Sequence, residues 1–255
     1  MHQTDGSLVA KSHITGNAVV INQCDREETI EFPTENGTAR MICTTQRGLT
    51  KSRNMAIAAS DADVCLLCDD DENFVYGYAG KILSAYEKLP QADVVIFRMV
   101  NRECPFGSDF RQLKFPQTMH VSSWQISFRR DSLLRTGVRF DELLGAGSGN
   151  GAEEELKFLV DCQKAGLQIW YAPVDIATVA QEASTWFDGF NEKFFYARGA
   201  TTRYILGAPL AAAYGVYYVA KKRAMYRDTI TPARALGAIF RGMLDNPITK
   251  QARKA

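Results

Sequence analysis

Three consecutive aspartates, Asp69, Asp70 and Asp71, stand directly after a short apolar run at residues 64–67 (VCLL). Because a buried carboxylate without a partner is strongly unfavourable, we expect these side chains at the rim of the fold. Along an extended chain alternate side chains point to the same side, so Asp69 and Asp71 can together bind a hard divalent cation, Mn²⁺ or Mg²⁺, and through it a diphosphate. The alternative is an exposed turn or a helix N-cap, which also favours acidic residues.

Cations and one further carboxylate are expected at the same rim. The segment RGLTKSRN places Arg47, Lys51 and Arg53 after a second apolar run at residues 41–44. Such cations can neutralise phosphates or contact a base, although an ordinary solvated helix start is the alternative. Asp25 ends the segment VVINQCD, where a carboxylate can accept hydrogen bonds from a base or ribose. Together these residues predict a nucleotide-diphosphate site.

The elements that hold these residues alternate between strand and helix. Helical spacing of apolar residues follows two of the apolar runs and predicts helices at residues 51–60 and 78–89. Strands that alternate with helices indicate a mixed, mainly parallel sheet flanked by helices, in which ligands bind at the carboxyl ends of the strands. The four predicted strands of this part are residues 18–21, 41–44, 64–67 and 94–97.

The second half of the chain begins with an irregular segment at residues 101–120, which predicts a loop. A glycine-rich loop follows at residues 145–151, and the acidic start of the next helix carries Glu154 and Glu155. Negative charge at a helix N-terminus is favourable by itself, so this acidity has a purely structural alternative. We expect a strand at residues 169–171 that ends at Pro173.

Six cysteines, two of them in the C-x-x-C pair Cys65 and Cys68, raise the question of disulfides or zinc. A second cysteine pair or a histidine at ligand spacing does not accompany that pair, and its segment VCLLC has the pattern of a strand. The pair is therefore interpreted as structural. With no signal-peptide pattern, a reducing cytoplasm is the expected location.

The C-terminal part differs in charge from the rest. From Arg198 onward the sequence holds eleven Lys or Arg residues against two acids, whereas the whole chain has a net charge of +1. Residues 205–220 (ILGAPLAAAYGVYYVA) contain no charge, and Lys221, Lys222 and Arg223 follow at once. This run is shorter than a spanning helix requires, so we expect it to bind a membrane surface with anionic lipid. A core-packed helix is the alternative.

Three segments of the chain resemble glycosyltransferase family 2, the inverting enzymes with a GT-A fold. GLTKSRNMAIAASDADVCLLCDDDENF is similar to the family's arginine-bearing helix and D-x-D strand. SSWQISFRRDSLLRTGVRFDELLG resembles its acceptor-side strand and helix, and GAEEELKFLVDCQKAGLQIWYAP resembles its catalytic-base helix. The overall likeness is to enzymes that build bacterial capsular or other surface polysaccharides.

The resemblance implies a role for each candidate residue, with Mn²⁺ or Mg²⁺ as the cofactor. Glu155, or alternatively Glu154, would be the general base that deprotonates the acceptor hydroxyl. A packing role is the alternative for the tryptophans, which would otherwise stack on sugar rings. The remaining implied roles are donor binding by Asp25, Lys51, Arg53, Asp69 and Asp70, metal binding by Asp69 and Asp71, and acceptor contact by Trp124 and Trp186.

The implied organisation is a GT-A domain at residues 1–197 and a basic helical tail at residues 198–255. The family's opening strand is absent from this sequence, and its loss is expected to expose the edges of the neighbouring strands. The expected activity is transfer of one sugar from a UDP-sugar to a glycan or lipid-linked acceptor at the inner membrane face, with no nucleic-acid partner. The alternative is a truncated, inactive relative that acts as a membrane-associated binding protein.

Overall fold

The computed structural model describes residues 3–150, 152–180, 187 and 189–254. Strands and helices alternate through most of the chain, and the last part is helical. The strands are β1 (Ala18–Gln23), β2 (Glu28–Thr34), β3 (Gly37–Thr44), β4 (Val64–Leu66), β5 (Glu72–Phe74), β6 (Val94–Met99), β7 (Arg111–Gln112), β8 (Ile126–Arg129) and β9 (Ile169–Val179). The helices are α1 (Ser7–Lys11), α2 (Leu49–Ala59), α3 (Tyr78–Lys88), α4 (Arg130–Thr136), α5 (Glu154–Lys164), α6 (Glu192–Leu206), α7 (Ala208–Lys221), α8 (Arg223–Tyr226), α9 (Pro232–Asp245) and α10 (Pro247–Ala252).

The chain folds into two compact units. The first comprises Met1–Arg47, Lys51–Phe140 and Glu155–Glu182, and it contains both β-sheets. The second comprises Gly48–Thr50, Asp141–Glu154 and Ala183–Ala255, and it contains the C-terminal helices. The boundary expected between residues 197 and 198 falls inside α6, which continues through it.

The sheets of the first unit are mixed, but the prediction that they are mainly parallel was wrong. Among the described residues only β1–β3 and β6–β9 pair in parallel, and the other strand pairs are antiparallel. One cause is the hairpin between β2 and β3, whose two-residue turn ends at Asn36 with a φ of 64°. A second cause is β8, which lies between β4 and β6 and is antiparallel to both.

The strands form two separate sheets within the described residues. One has the order β1-β3-β2, and the other has the order β4-β8-β6-β9-β5 with β7 paired to β9. Strand β1 is thus at the edge of the small sheet, and β4 is at the edge of the large one.

The large sheet is covered on both faces, which explains the uninterrupted apolar run at residues 94–97 of β6. Val94 and Ile96 belong to one buried cluster, with Phe128 and Phe158, whereas Val95 and Phe97 belong to another on the opposite face. Alternate residues of a strand point to opposite faces, so the part of a strand that is buried on both sides has no polar positions.

Strand β9 continues through Pro173 to Val179, so the prediction that the proline ends it was wrong. Its pairing with β6 shifts register after Ile96, which faces Tyr171, and resumes where Arg98 faces Asp175. Pro173 lies in this irregular stretch. Because the ladder is already interrupted there, the missing amide hydrogen of proline costs no pairing bond.

Helices α6, α7 and α9 form the core of the second unit, around Phe195, Ala211 and Ile239. Gly199 on α6 lies against the backbone of Ile239, and Gly242 on α9 lies against the backbone of Tyr196. Glycine is required at both contacts because a Cβ atom would overlap the opposite main chain. None of the described helices is long and apolar enough to cross a membrane.

Candidate active site

The guanidinium group of Arg53 connects two of the predicted site carboxylates. Its Nη2 donates to Asp69 Oδ1 at 3.3 Å, and its Nη1 donates to Glu155 Oε1 at 3.1 Å. The Arg53 side chain is only 8% exposed and lies 5.3 Å from the ring centre of Phe140, which is itself buried. A buried cation with two carboxylate partners and an aromatic face is held in one orientation.

Asp69 has further partners that fix its carboxylate and backbone. Ser123 Oγ donates to Asp69 Oδ2 at 2.6 Å, and the backbone N–H of Asp69 donates to Glu72 Oε1 at 2.7 Å. Ser123 lies in a short 3₁₀ helix that Ser122 and Gln125 close with reciprocal side-chain hydrogen bonds, a capping box. Both carboxylate oxygens of Asp69 thus accept hydrogen bonds from side chains that packing keeps in place.

The prediction that the Asp69 and Asp71 side chains point to the same side assumed an extended chain. The acidic run is not extended in the structure. Asp70 and Asp71 form a turn between β4 and β5. Asp70 is exposed and Asp71 is half-buried, and the carbonyl of Asp71 accepts a hydrogen bond from the backbone of Ala180. A tight turn keeps the three carboxylates near one another while it changes their directions.

Glu72, the next acidic residue, is 1% exposed. Burial raises the pKa of Glu72 to about 9, and the charges of Asp69 and Asp71 act in the same direction. Its Oε2 atom is buried and has no hydrogen-bond partner among the described residues. Next to the acidic run there is thus one buried carboxyl oxygen without a protein donor among the described residues, which is a chemical setting that suits a bound cation.

No group of three or more His, Cys, Asp or Glu residues within the described ranges is arranged to hold a metal ion by itself. The donor set offered by the acidic turn is oxygen only, the set that Mg²⁺ and Mn²⁺ prefer. An ion at this turn would need further oxygen ligands from a bound molecule.

The two candidate bases differ in environment. Glu154, the first residue of α5, is 4% exposed and packs against Gly145 of the glycine-rich loop. Glu155 is more accessible, with a side chain 19% exposed, and it faces Arg53. A base must reach a proton on a molecule that enters from solvent, so the geometry favours Glu155.

The other predicted donor-binding residues lie around this network. Asp25 is highly exposed and pairs with Arg47 at 2.6 Å, while Lys51 is exposed on α2. The side chain of Gln23, the last residue of β1, donates to Ser52 Oγ at 2.9 Å and so connects the end of β1 to α2. The structure thus brings Asp69 and Glu155 together on Arg53, and it gives Asp25 a different arginine partner.

Trp124 is half-buried and packs against the core cluster that contains Phe74 and Phe97. That contact is the packing alternative considered for this residue. The second predicted acceptor-side residue, Trp186, lies outside the described residues.

The sequence model of the family described as "Glycosyl transferase family 2" matches residues 15–141. The chain belongs to glycosyltransferase family 2. The matched region contains Arg53, the acidic run and Ser123, and it ends before Glu154 and Glu155. The prediction of this family from the sequence motifs is therefore confirmed, and the protein is a glycosyltransferase.

Solved structures with a similar fold are also known. The S. aureus TarS fragment 1-349 is 14% identical, with a TM-score of 0.56, over 96% of this chain and 77% of that one. The same fragment in complex with UDP-GlcNAc has a TM-score of 0.59 over 93% and 76% of the two chains, also at 14% identity. No curated protein matches the sequence. The family 2 chain therefore has the predicted GT-A fold, with two mixed sheets, flanking helices and C-terminal helices.

Two residues of this family 2 site were not identified from the sequence. Ser123 could have been found, because Ser122 and Gln125 have the spacing of a capping box and place a helix start there. Glu72 follows the acidic run in sequence, and the turn at Asp70 and Asp71 directs it inward. The inward direction of this side chain depends on the path of the backbone through the turn, which the sequence pattern does not give.

Proposed function

We propose that this glycosyltransferase moves one sugar from a UDP-sugar to a glycan or lipid-linked acceptor, with inversion at the anomeric carbon. The observation that carries the proposal is the shared guanidinium of Arg53, which joins Asp69 of the donor-side run to Glu155 of the proposed catalytic-base helix. In a displacement reaction one carboxylate, Asp69, would bind the donor and the other, Glu155, would deprotonate the acceptor hydroxyl. UDP-GlcNAc is the first donor to test, because the similar TarS structure was solved with it.

In the proposed site Asp25 contacts the nucleobase, and Lys51 and Arg53 face the base or the diphosphate. Asp69 and Asp70 bind the ribose side of the donor, and Trp124 and Trp186 remain the proposed acceptor contacts. The exposure of Lys51 and Asp25 supports this, since both are accessible to a ligand.

A divalent cation, Mn²⁺ or Mg²⁺, fits the acidic turn. The buried Glu72 oxygen without a partner and the neighbouring carboxylates of Asp69 and Asp71 support a cation there. Asp71 and Asp69 would hold it, with the remaining ligands from the donor diphosphate. When bound, the ion would supply positive charge that stabilises the departing diphosphate.

The proposed chemical step is a single displacement. The Glu155 carboxylate accepts the proton of the acceptor hydroxyl as that oxygen forms a bond to the anomeric carbon. The bond from that carbon to the diphosphate oxygen breaks, and its electron pair leaves with the nucleoside diphosphate. Arg53 orients Glu155 before the reaction through their hydrogen bond, and its positive charge lies beside the run that binds the donor.

The competing function is an inactive, membrane-associated binding protein of the same family. The observation that favours it is the division of the described strands into two sheets, with β1 and β4 each at the edge of one, since a donor site that spans two separate sheets is less enclosed. Both functions share the proposed location, the inner face of a membrane. They differ in donor binding and turnover.

A donor screen by thermal shift in the presence of Mn²⁺ tests the proposal. A bound UDP-sugar raises the melting temperature by mass action, and Asp71→Asn is expected to remove that increase. Lack of any shift with the parent protein and every donor would support the inactive relative.

The base is tested separately by transfer assays. Glu155→Gln is expected to lower kcat by about a hundredfold or more while donor binding persists. Glu154→Gln is the matched control, with the same chemical change one residue earlier. Loss of turnover in Glu154→Gln with normal turnover in Glu155→Gln would reverse the assignment.

A further inference from the structure

The outward face of α7 is apolar along its whole length. Its exposed positions before the last residue carry no charge, and Tyr217 alone among them has a polar group. Leu210 is 50% exposed, Val216 is 51% exposed and Tyr217 is 54% exposed. The α7 face, as we name it, consists of Ala208, Pro209, Leu210, Ala213, Val216, Tyr217 and Ala220.

The opposite side of α7 is already packed. Ala211, Gly215 and Val219 are buried, and Gly215 lies against the side chain of Ile239 on α9. The helix is therefore held in place by its small residues, and rotation that would hide the α7 face would remove this packing. A surface helix normally presents polar residues to solvent, so an exposed apolar face on a well-packed helix indicates a binding surface.

Positive charge follows directly at the C-terminal end of the face. Lys221, Lys222, Arg223 and Arg227 are exposed, and the nearby acid, Asp228, lies 3.6 Å from Arg227. Met225, which is 57% exposed, adds an apolar side chain within this basic cluster. The surface thus combines an uncharged helix face with a net positive end.

We propose that the α7 face and its basic cluster bind the surface of a bilayer that contains anionic lipid. The proposal deepens the membrane location proposed above, on which its biological purpose rests, by naming the helix face that enters the bilayer surface and the cations that meet the headgroups. Helix α7 would lie in the plane of the interface, with Leu210, Val216 and Tyr217 among the acyl chains. Lys221, Lys222 and Arg223 would lie at the level of the phosphate groups.

The charge pattern favours lipid over a protein partner. A protein interface is expected to mix donors and acceptors with its apolar atoms, whereas the α7 face offers a single phenol over seven exposed positions. A tyrosine beside apolar residues, with cations at one end, matches the chemical gradient from acyl chains to headgroups.

The apolar part is tested by flotation of the full chain with vesicles made of equal parts phosphatidylcholine and phosphatidylglycerol. Replacement of Leu210, Val216 and Tyr217 by Gln is expected to lower the vesicle-bound to free ratio by roughly tenfold or more. The matched control replaces Leu83, Val100 and Tyr76, also exposed, by Gln and is expected to bind like the parent. Circular dichroism of each variant verifies the fold.

The electrostatic part uses variants that leave the helix packing untouched. Replacement of Lys221, Lys222 and Arg223 by Gln is expected to lower binding by about fivefold for each cation removed. Vesicles of phosphatidylcholine alone, or high salt, are expected to weaken binding of the parent in the same way. The matched control replaces Lys114, Lys164 and Arg139, which are exposed in the first unit.

The proposal is overturned if the parent protein does not bind anionic vesicles, or if the variants and their controls bind vesicles equally well. It is also overturned if sedimentation velocity shows that the parent dimerises through the α7 face. The basic-cluster variants decide the matter if the apolar variant does not fold. Donor binding measured by thermal shift on the same proteins is a separate readout. If the protein binds donor but not vesicles, the membrane-binding role of the α7 face is wrong and the proposed transfer chemistry is unaffected. If it binds vesicles but no donor, the proposed transfer chemistry is wrong and the membrane-binding role is unaffected.

Discussion

At the scale of single residues, Arg53 is the side chain on which the site depends. It lies 16 residues from Asp69 and 102 residues from Glu155 in sequence, and it binds both carboxylates. The acidic run and the arginine could each be recognised from the sequence, because charged residues after an apolar strand occupy the rim of a sheet. Their partner Glu155 could not be derived from spacing, since a contact across 102 residues depends on how the whole domain folds.

Replacement of Arg53 by alanine is expected to destabilise the protein by about 3 kcal/mol, because two partly buried carboxylates lose their cation. Arg53→Lys keeps the charge but loses the planar fork, so it is expected to recover only part of the stability and little donor binding. Urea unfolding and donor thermal shift measure the two effects. Arg47→Ala is the control, because its pair with Asp25 is exposed and contributes little. Equal losses in both alanine variants would contradict the central role of Arg53.

At the scale of elements, the apolar patterns located strands and helices well, but they did not determine how far each element runs. β9 continues through Pro173 because the register shift beside β6 makes room for a residue without an amide hydrogen. Such a shift is a property of two strands together. The sequence of β9 alone therefore predicted an end at Pro173.

Beyond that register shift, Arg98 on β6 and Asp175 on β9 form a two-fold hydrogen-bonded ion pair, at 2.6 and 2.7 Å. The hydrogen bond from Arg98 lowers the pKa of Asp175, so the pair stabilises the folded state above the unfolded pKa of an aspartate. That contribution is lost as the pH falls through the lowered pKa. Asp175→Asn is thus expected to be less stable than the parent at neutral pH and equally stable in strong acid. Urea unfolding across this pH range tests the sign, and a gap independent of pH would contradict it.

The crossing of α6 and α9 gives a second prediction at this scale. Gly199→Ala or Gly242→Ala is expected to cost about 3 kcal/mol or more, since each added methyl meets opposite backbone that cannot move aside. Gly237→Ala on α9 is the control, because a methyl there meets nothing within 4 Å. In an exposed helix interior it is expected to stabilise by about 0.5 to 1 kcal/mol. Thermal melting measures the three variants, and we expect lower melting temperatures for the Gly199 and Gly242 variants than for the Gly237 variant. Similar melting temperatures would contradict the close contact between α6 and α9.

At the scale of the whole molecule, the alternating pattern of strands and helices predicted the α/β class and the family motifs predicted GT-A. The strand order could not be obtained in this way. The apolar run of β6 shows that both faces are buried, yet it does not show that β8 and β9 are its neighbours. The division into two sheets follows from which strand edges meet, a long-range property that periodicity does not contain.

Hydrogen exchange should distinguish the two sheets. The small sheet rests on a small cluster around Cys24, Met41 and Cys43, whereas the large sheet is covered by large clusters on both faces. Amides of β1 and β2 are expected to exchange through a low-energy local opening, and those of β6 and β8 only near global unfolding. Peptide-resolved mass spectrometry measures this order. Equal protection of β2 and β6 would mean that the two sheets unfold as one unit.

The network around Arg53 also affects how quickly a ligand can bind. Three side-chain hydrogen bonds connect α2, Asp69 in the segment after β4, the short 3₁₀ helix at Ser123 and α5. A pocket whose charged groups are already oriented loses little conformational entropy when it is filled. Donor association should therefore follow a single exponential whose rate rises in proportion to donor concentration, without the plateau that a slow rearrangement of the protein would impose.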